Sequence, residues 1–203
     1  TIKNGESIGI MGSSGSGKTT LIDVILGLLK INSGEILLNK KNLYNHLNEW
    51  TSQVAYLPQK VFIIDDTLKQ NISLIKKDEK INFKKLNESI KKARLNDLID
   101  QLENGIETKV GERGSRISGG QSQRVSLARA FYHERNVLIL DEATSSLDYE
   151  TELKIVDEIK FLKGKTTLIV IAHRLSTLKH CDKIYKIENG SIVASGSYNE
   201  IIK

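Results

Sequence analysis

The chain has 203 residues, 39% of them hydrophobic and 27% charged, with 30 basic against 25 acidic side chains for a net charge of +5. That balance excludes a disordered chain and suits a folded domain with one substantial core; the lysines are scattered among acids and amides, which reads as a solvated surface and not as a nucleic-acid-binding block. The single cysteine, Cys181, excludes an internal disulfide framework and suits a reducing compartment as a small buried hydrophobe.

Strand and helix signals alternate along the chain, which predicts an α/β fold with a largely parallel sheet. Glu6 to Met11 reads as the first strand, and Leu21, Ile22, Val24, Ile25, Leu28 and Leu29 give the next helix its buried face. Gly34 to Leu38 and Val54 to Leu57 are short strand candidates. From about Asp66 to Arg135 the periodicity turns helical, predicting a helical lobe over 66–135 inserted in a single domain that spans 1–203. Val137 to Leu140 and Thr166 to Ala172 have the continuous apolar character of buried strands, separated by a helix over about Glu150 to Leu162. Lys183 to Ile187, Asn189-Gly190 and Ser191 to Ala194 then give a hairpin signal. No apolar run approaches the roughly 20 residues that cross a bilayer, and Thr1 opens no secretory leader. A start without Met, almost at once in a core strand, reads as the truncation of a longer chain.

Residues Gly12 to Thr19 read GSSGSGKT, a complete G-x-x-x-x-G-K-[S/T] sequence between the first strand and its helix. A glycine-rich turn in that place aims consecutive N–H groups, and the positive end of the helix, at a nucleotide's phosphates. Gly12, Ser13, Ser14, Gly15, Ser16, Gly17, Lys18, Thr19 and Thr20 are therefore the candidate nucleotide contacts. Lys18 would reach the β- and γ-phosphates and the Thr19 hydroxyl would hold Mg²⁺.

Val137-Leu138-Ile139-Leu140 runs straight into Asp141-Glu142. A carboxylate at the carboxyl end of a parallel strand lies where open α/β sheets bind ligands, so Asp141 is a candidate Mg²⁺ ligand. Glu142, one residue on, is a candidate base for an attacking water. Between the two elements stands Ile117-Ser118-Gly119-Gly120-Gln121, followed by Ser122-Gln123-Arg124 and a helical run. A Ser and two glycines at a helix start can present N–H groups and a hydroxyl to an anion. A capped helix with a Gly-rich entry is the plainer alternative.

In this order the elements resemble the nucleotide-binding domain of ATP-binding cassette (ABC) transporters, whose signature is L-S-G-G-Q with the same Q-R tail; Ile117 stands in place of the leucine. The resemblance covers essentially the whole chain. It implies a P-loop NTPase (RecA-like) core with an inserted α-helical subdomain, using ATP and Mg²⁺. Gln59 in Tyr56-Leu57-Pro58-Gln59 matches the Q-loop glutamine that contacts Mg²⁺ or the attacking water at the junction with the membrane domain. Asp148 in Ser145-Ser146-Leu147-Asp148 resembles the loop that joins the two sites of a dimer, and His173 matches the switch histidine that contacts the γ-phosphate. His46, His133 and His180 match no motif.

Thr108-Lys109-Val110-Gly111-Glu112-Arg113-Gly114 and the run Phe62 to Ile72 are similar to exporter-type segments. The implied arrangement is a soluble fragment at the cytoplasmic face of a bacterial inner membrane, with a transmembrane exporter domain fused upstream. The implied reaction is ATP hydrolysis in a head-to-tail homodimer, or a pair with a second cassette, in which Lys18 and Asp141 of one copy face Ser118 and Gly120 of the other. A lipid-linked saccharide is one candidate cargo, beside peptide, lipid and drug classes.

The family carries an adenine-stacking aromatic about 25 positions before the loop, whereas only eleven residues precede Gly12, so the first strands and that aromatic are expected to lie outside this chain. Nucleotide affinity is then expected to fall by about ten- to a hundredfold. Two other function classes stay open. A soluble ABC-type ATPase acting on DNA or the ribosome is opposed by the spacing of 100 residues between Lys18 and Ser118 and by the exporter-type segments. A nucleotide-binding module without turnover is opposed by Lys18, Asp141, Glu142 and His173.

Overall fold

Two apolar runs are buried at every position, Val137–Asp141 and Thr167–Ile171, as strands covered on both faces must be. In the computed structural model, which describes residues 1–75, 79–111, 117–172 and 175–202 (the side chains of 175 and 176 apart), they are neighbours in a six-stranded sheet. Its strands are β1 (Ser7–Met11), β4 (Val54–Leu57), β5 (Val137–Asp141), β6 (Thr167–Ile171), β7 (Lys183–Glu188) and β8 (Ser191–Gly196), in the order β4-β5-β6-β1-β7-β8. Strands β5, β6, β1 and β7 run parallel, and β8 closes antiparallel on β7. The β7–β8 turn is Asn189-Gly190, with φ of 48° and 76°, the paired positive values that a two-residue hairpin requires.

The register fixes where the sheet's functional edge lies. Ile171 pairs with Asp141 on one side and with Ile10 on the other. Strands β5, β6 and β1 therefore end together, and the chain leaves β1 into the Gly12–Thr19 loop at the same edge as Asp141.

Contacts divide the chain into two compact units. The first comprises Thr1–Tyr56, Arg135–Asp141 and Lys163–Lys203. Its core gathers Ile8 and Ile10 of β1, Ile139 of β5, Ile169 and Ile171 of β6, and Ile22 of α1 (Lys18–Ile25). Trp50, in α2 (Leu47–Gln53), is buried there, and its indole N–H donates to Ile25 O at 2.8 Å. Cys181 is buried as expected, and burial pushes its thiol up to about 11.

Two sequence expectations are corrected in this unit. Helix α1 stops at Ile25; Gly27 turns the chain at φ 76°, and Leu28 and Leu29 beyond it are 70% and 43% exposed, outside the buried face. Of the run from Gly34 to Leu38, only Leu37–Leu38 (β2) is strand, in a two-residue ribbon with β3 (Lys41–Asn42) separate from the main sheet. Apolar composition marked this segment because it covers the core, where Ile36 and Leu38 pack.

The second unit comprises Leu57–Glu134 and Glu142–Leu162. It is helical: α3 (Leu68–Ser73), α4 (Phe83–Lys92), α5 (Asn96–Gln101), α6 (Gly119–His133) and α7 (Tyr149–Lys160). Helices α3 and α4 pack against α6. The segment before α3 is tied to the exporter-like one by Leu68 N to Thr108 O at 2.9 Å and Val110 N to Asp66 O at 3.0 Å; the remainder of that motif, Glu112-Arg113-Gly114, lies outside the described residues.

Arg129 of α6 locks this region. Its guanidinium donates to Phe62 O at 2.7 Å, to Asn71 O at 2.6 Å and to Asn71 Oδ1 at 3.1 Å, and burial pulls its pKa down to about 10. Asn71, fully buried, returns its amide N–H groups to Ile64 O and Thr67 O. Arg129→Leu strips donors from three oxygens at once and is expected to cost about 2–4 kcal/mol, a fall of roughly 5–15 °C in melting temperature; thermal denaturation followed by circular dichroism checks it.

Candidate functional site

The loop after β1 is built around one buried charge. Lys18 is 7% exposed, and its ammonium donates back to Gly12 O at 3.0 Å and Ser13 O at 2.8 Å, so it lies across its own loop. The loop is closed by Ser16 N to Ser13 O at 3.2 Å and held from outside by the hairpin turn, whose Gly190 N donates to Ser16 O at 2.9 Å. Gly12 is required by close approach: a Cβ there would stand 2.3 Å from Ile187 O and 2.6 Å from Ser16 Oγ.

Helix α1 starts at Lys18 with Gly17 as its cap, at φ 103°, and no side chain caps its first N–H groups. No acidic residue stands in that first turn either, so the positive helix end faces outward uncompensated. Ser13, Ser14, Gly15, Thr19 and Thr20 are exposed around it. Ser16 Oγ is fully buried and has no hydrogen-bond partner among the described residues. A loop with open N–H groups, a buried ammonium on neutral acceptors and an orphaned hydroxyl fits a polyphosphate anion.

In the same unit Asp141 ends β5 at 8% exposure, and the Tyr56 phenol of β4 donates to its Oδ2 at 3.1 Å. Burial first, then the negative charges of Asp141 and of Asp23 on α1, hold the phenol above its ordinary pKa, so it acts as a donor.

In the second unit Glu142 has φ 51°, a left-handed value that costs a non-glycine residue about 1–2 kcal/mol. The turn that follows offsets this: Ser145 N donates to Glu142 O at 3.0 Å, and Leu147 N to Thr144 O at 3.1 Å. The Glu142 side chain meets Gln59, whose Nε2 donates to its Oε2 at 2.7 Å. Gln123, 2% exposed on α6, pins the same turn by accepting from Ser146 N at 3.0 Å and donating to Ser145 Oγ at 3.3 Å.

Ser118 caps α6 in a reciprocal box: Gln121 N donates to Ser118 Oγ at 3.2 Å and Ser118 N to Gln121 Oε1 at 2.7 Å. The Gln121 side chain is committed to this cap, while Ser118 and Gly119 stay exposed. Asp148 caps α7 by accepting from Thr151 N at 2.9 Å, and that N–H holds its exposed carboxyl below the usual range.

Each unit thus assembles part of the sequence-predicted set. The loop, Lys18, Thr19 and Asp141 share the first; Gln59, Glu142, Ser118 to Gln121 and Asp148 share the second. His173 lies outside the described residues. Sequence reasoning passed over Tyr56 and Gln123. The signals were a phenol in an otherwise apolar strand, V-A-Y-L, and an amide two positions before Val125 on a helix whose other inward residues are apolar or small.

Comparison with known proteins bears on the fold and the family. The family described as ABC transporter matches residues 1–145. The chain is 38% identical over 203 residues to an ATP-dependent lipid A-core flippase of Ralstonia nicotianae, covering 99% of this chain and 34% of that protein. It is 41% identical over 206 residues to a protein of Staphylococcus aureus named for multidrug export, an ATP-binding/permease protein, of which it covers 35%. Among solved structures, a bacterial Atm1-family ABC exporter with ATP bound superposes with a TM-score of 0.91 at 30% identity, over 99% of this chain and 35% of that one. The chain therefore spans about a third of the length of the relatives it matches. Among the described residues, no helix is long and apolar enough to cross a membrane.

The two glycines that open α6 are not equivalent. A Cβ on Gly120 would stand 2.9 Å from the backbone oxygen of Ser146, whereas one on Gly119 meets nothing closer than 3.8 Å. Gly120→Ala is expected to destabilise by about 1–3 kcal/mol and Gly119→Ala to stabilise by about 0.4–1 kcal/mol. Urea denaturation of the two variants, read for opposite signs, checks this.

Proposed function

The chain belongs to the ABC transporter family, and from that premise we propose that it hydrolyses ATP as one half of a head-to-tail pair of cassettes, driving a bacterial exporter or flippase. The observation that carries the reading is Lys18: a buried ammonium that donates, among the described residues, to the neutral carbonyls of Gly12 and Ser13, at the mouth of an uncapped helix. Phosphate oxygens are charged acceptors and form the stronger hydrogen bonds, so the β- and γ-phosphates of ATP displace those carbonyls. The loop N–H groups from Ser13 to Thr19 take the remaining phosphate oxygens, with Thr20 in the same first turn.

Asp141 and Thr19, in one unit, are the residues that would hold Mg²⁺, and the family resemblance adds Gln59. One carboxylate and a hydroxyl suit a cation that keeps waters and shares its shell with phosphates. When bound, Mg²⁺ neutralises charge on the β- and γ-phosphates. Glu142 accepts the proton of the attacking water, and Gln59, already bonded to its carboxylate, orients both. His173 contacts the γ-phosphate by family resemblance. Ser118, Gly119, Gly120 and Gln121 face the ATP of the partner copy, and Asp148 joins the two sites.

Membrane helices outside this chain supply the path and the cargo. Two relatives named for lipid A flipping and multidrug export point to an amphiphile, with a lipid-linked saccharide as the leading class, handled at the cytoplasmic face of the inner membrane.

Steady-state hydrolysis is expected to rise faster than linearly with protein concentration, and Glu142→Gln to lower it by at least about 100-fold while leaving ATP binding intact. Turnover by Glu142→Gln at the parent rate removes Glu142 from the role, and a strictly linear dependence removes the pair.

A further inference from the structure

A buried carboxylate that serves a divalent cation has an orientation problem. Its two oxygens are chemically equal, and rotation about the terminal torsion is broad and roughly two-fold. Mg²⁺ tolerates little departure from octahedral geometry. Something must decide which oxygen of Asp141 is presented and hold it there.

The Tyr56 phenol donates to Asp141 Oδ2 at 3.1 Å across 85 positions of sequence, within one unit. Its ring packs against the core while the hydroxyl reaches Asp141 at the end of β5. A phenylalanine would fill the same space without the donor; the hydroxyl's distinct contribution is its grip on one carboxylate oxygen. Three positions later Gln59 grips Glu142 in the other unit. Residues 56–59 thus carry one donor for each of the two consecutive carboxylates.

We propose that Tyr56 is a positioning residue for the Mg²⁺–nucleotide complex, engaging Oδ2 of Asp141 and so fixing the orientation of the carboxylate that would serve the cation. The inference rests on the function proposed above. It adds a determinant of metal affinity that lies in strand β4, at a position to which the resemblance assigns no role.

The test is a Mn²⁺ titration, followed by electron paramagnetic resonance, of the ADP-loaded chain and its Tyr56→Phe variant. Loss of an outer partner of a metal ligand is expected to weaken Mn²⁺ by about tenfold, with ADP affinity in EDTA unchanged. In an Asp141→Asn background, Tyr56→Phe is expected to change Mn²⁺ affinity by less than about twofold, since the two act through one contact. Equal Mn²⁺ affinity in the parent and Tyr56→Phe, or an equal loss of ADP affinity in EDTA, overturns the inference and leaves the proposed function standing. A parent chain that binds no ADP under either condition overturns both.

Discussion

A buried ammonium cannot be left without acceptors, and most of the site follows from how this chain satisfies one. Lys18 is 7% exposed at the first turn of α1, and its partners are carbonyls of the loop that delivers it. To bring those carbonyls inward the loop must curl over its own helix start, which turns its N–H groups the other way, toward an incoming anion. The curl works only where side chains are absent. Gly12 lies against Ile187 O, and the Gly190 turn of the β7–β8 hairpin braces Ser16. The antiparallel hairpin at the sheet's end thus supports the loop, although it carries none of the candidate site residues.

The second unit meets a different constraint with similar means. Glu142 takes a strained left-handed backbone immediately after a fully buried strand. The turn from Glu142 to Leu147 is tied by its own backbone bonds and by both ends of the Gln123 amide. Because Gln123 projects from α6, the helix that Ser118 caps, the turn with Glu142 and the signature segment are parts of one braced assembly. Gly120 lets that helix approach the turn closely, at a spacing that a methyl group would break.

Much of this was legible from local pattern. The phosphate loop, the apolar strand ending in Asp141-Glu142, the Ser118 cap and the Asn189-Gly190 turn are each written in a few consecutive residues, where backbone chemistry alone decides the outcome. The misreadings share a cause. Leu28 and Leu29 continue an apolar period, yet Gly27 ends the helix before them, and Gly34 to Leu38 is apolar to cover a core instead of to extend a sheet. Tyr56 and Gln123 stood out locally only as polar groups among apolar neighbours, because the partners that give them a place in the site stand 85 and 19–23 positions away. No local pattern encodes such a contact.

The most direct measurement is calorimetric titration of ATP with Mg²⁺ into the chain and its Lys18→Ala variant. The account predicts saturable binding to the parent and a loss of at least about tenfold on removing the ammonium, the equivalent of about 1.4 kcal/mol. A parent chain that fails to bind, or a Lys18→Ala chain that binds as well as the parent, would contradict it.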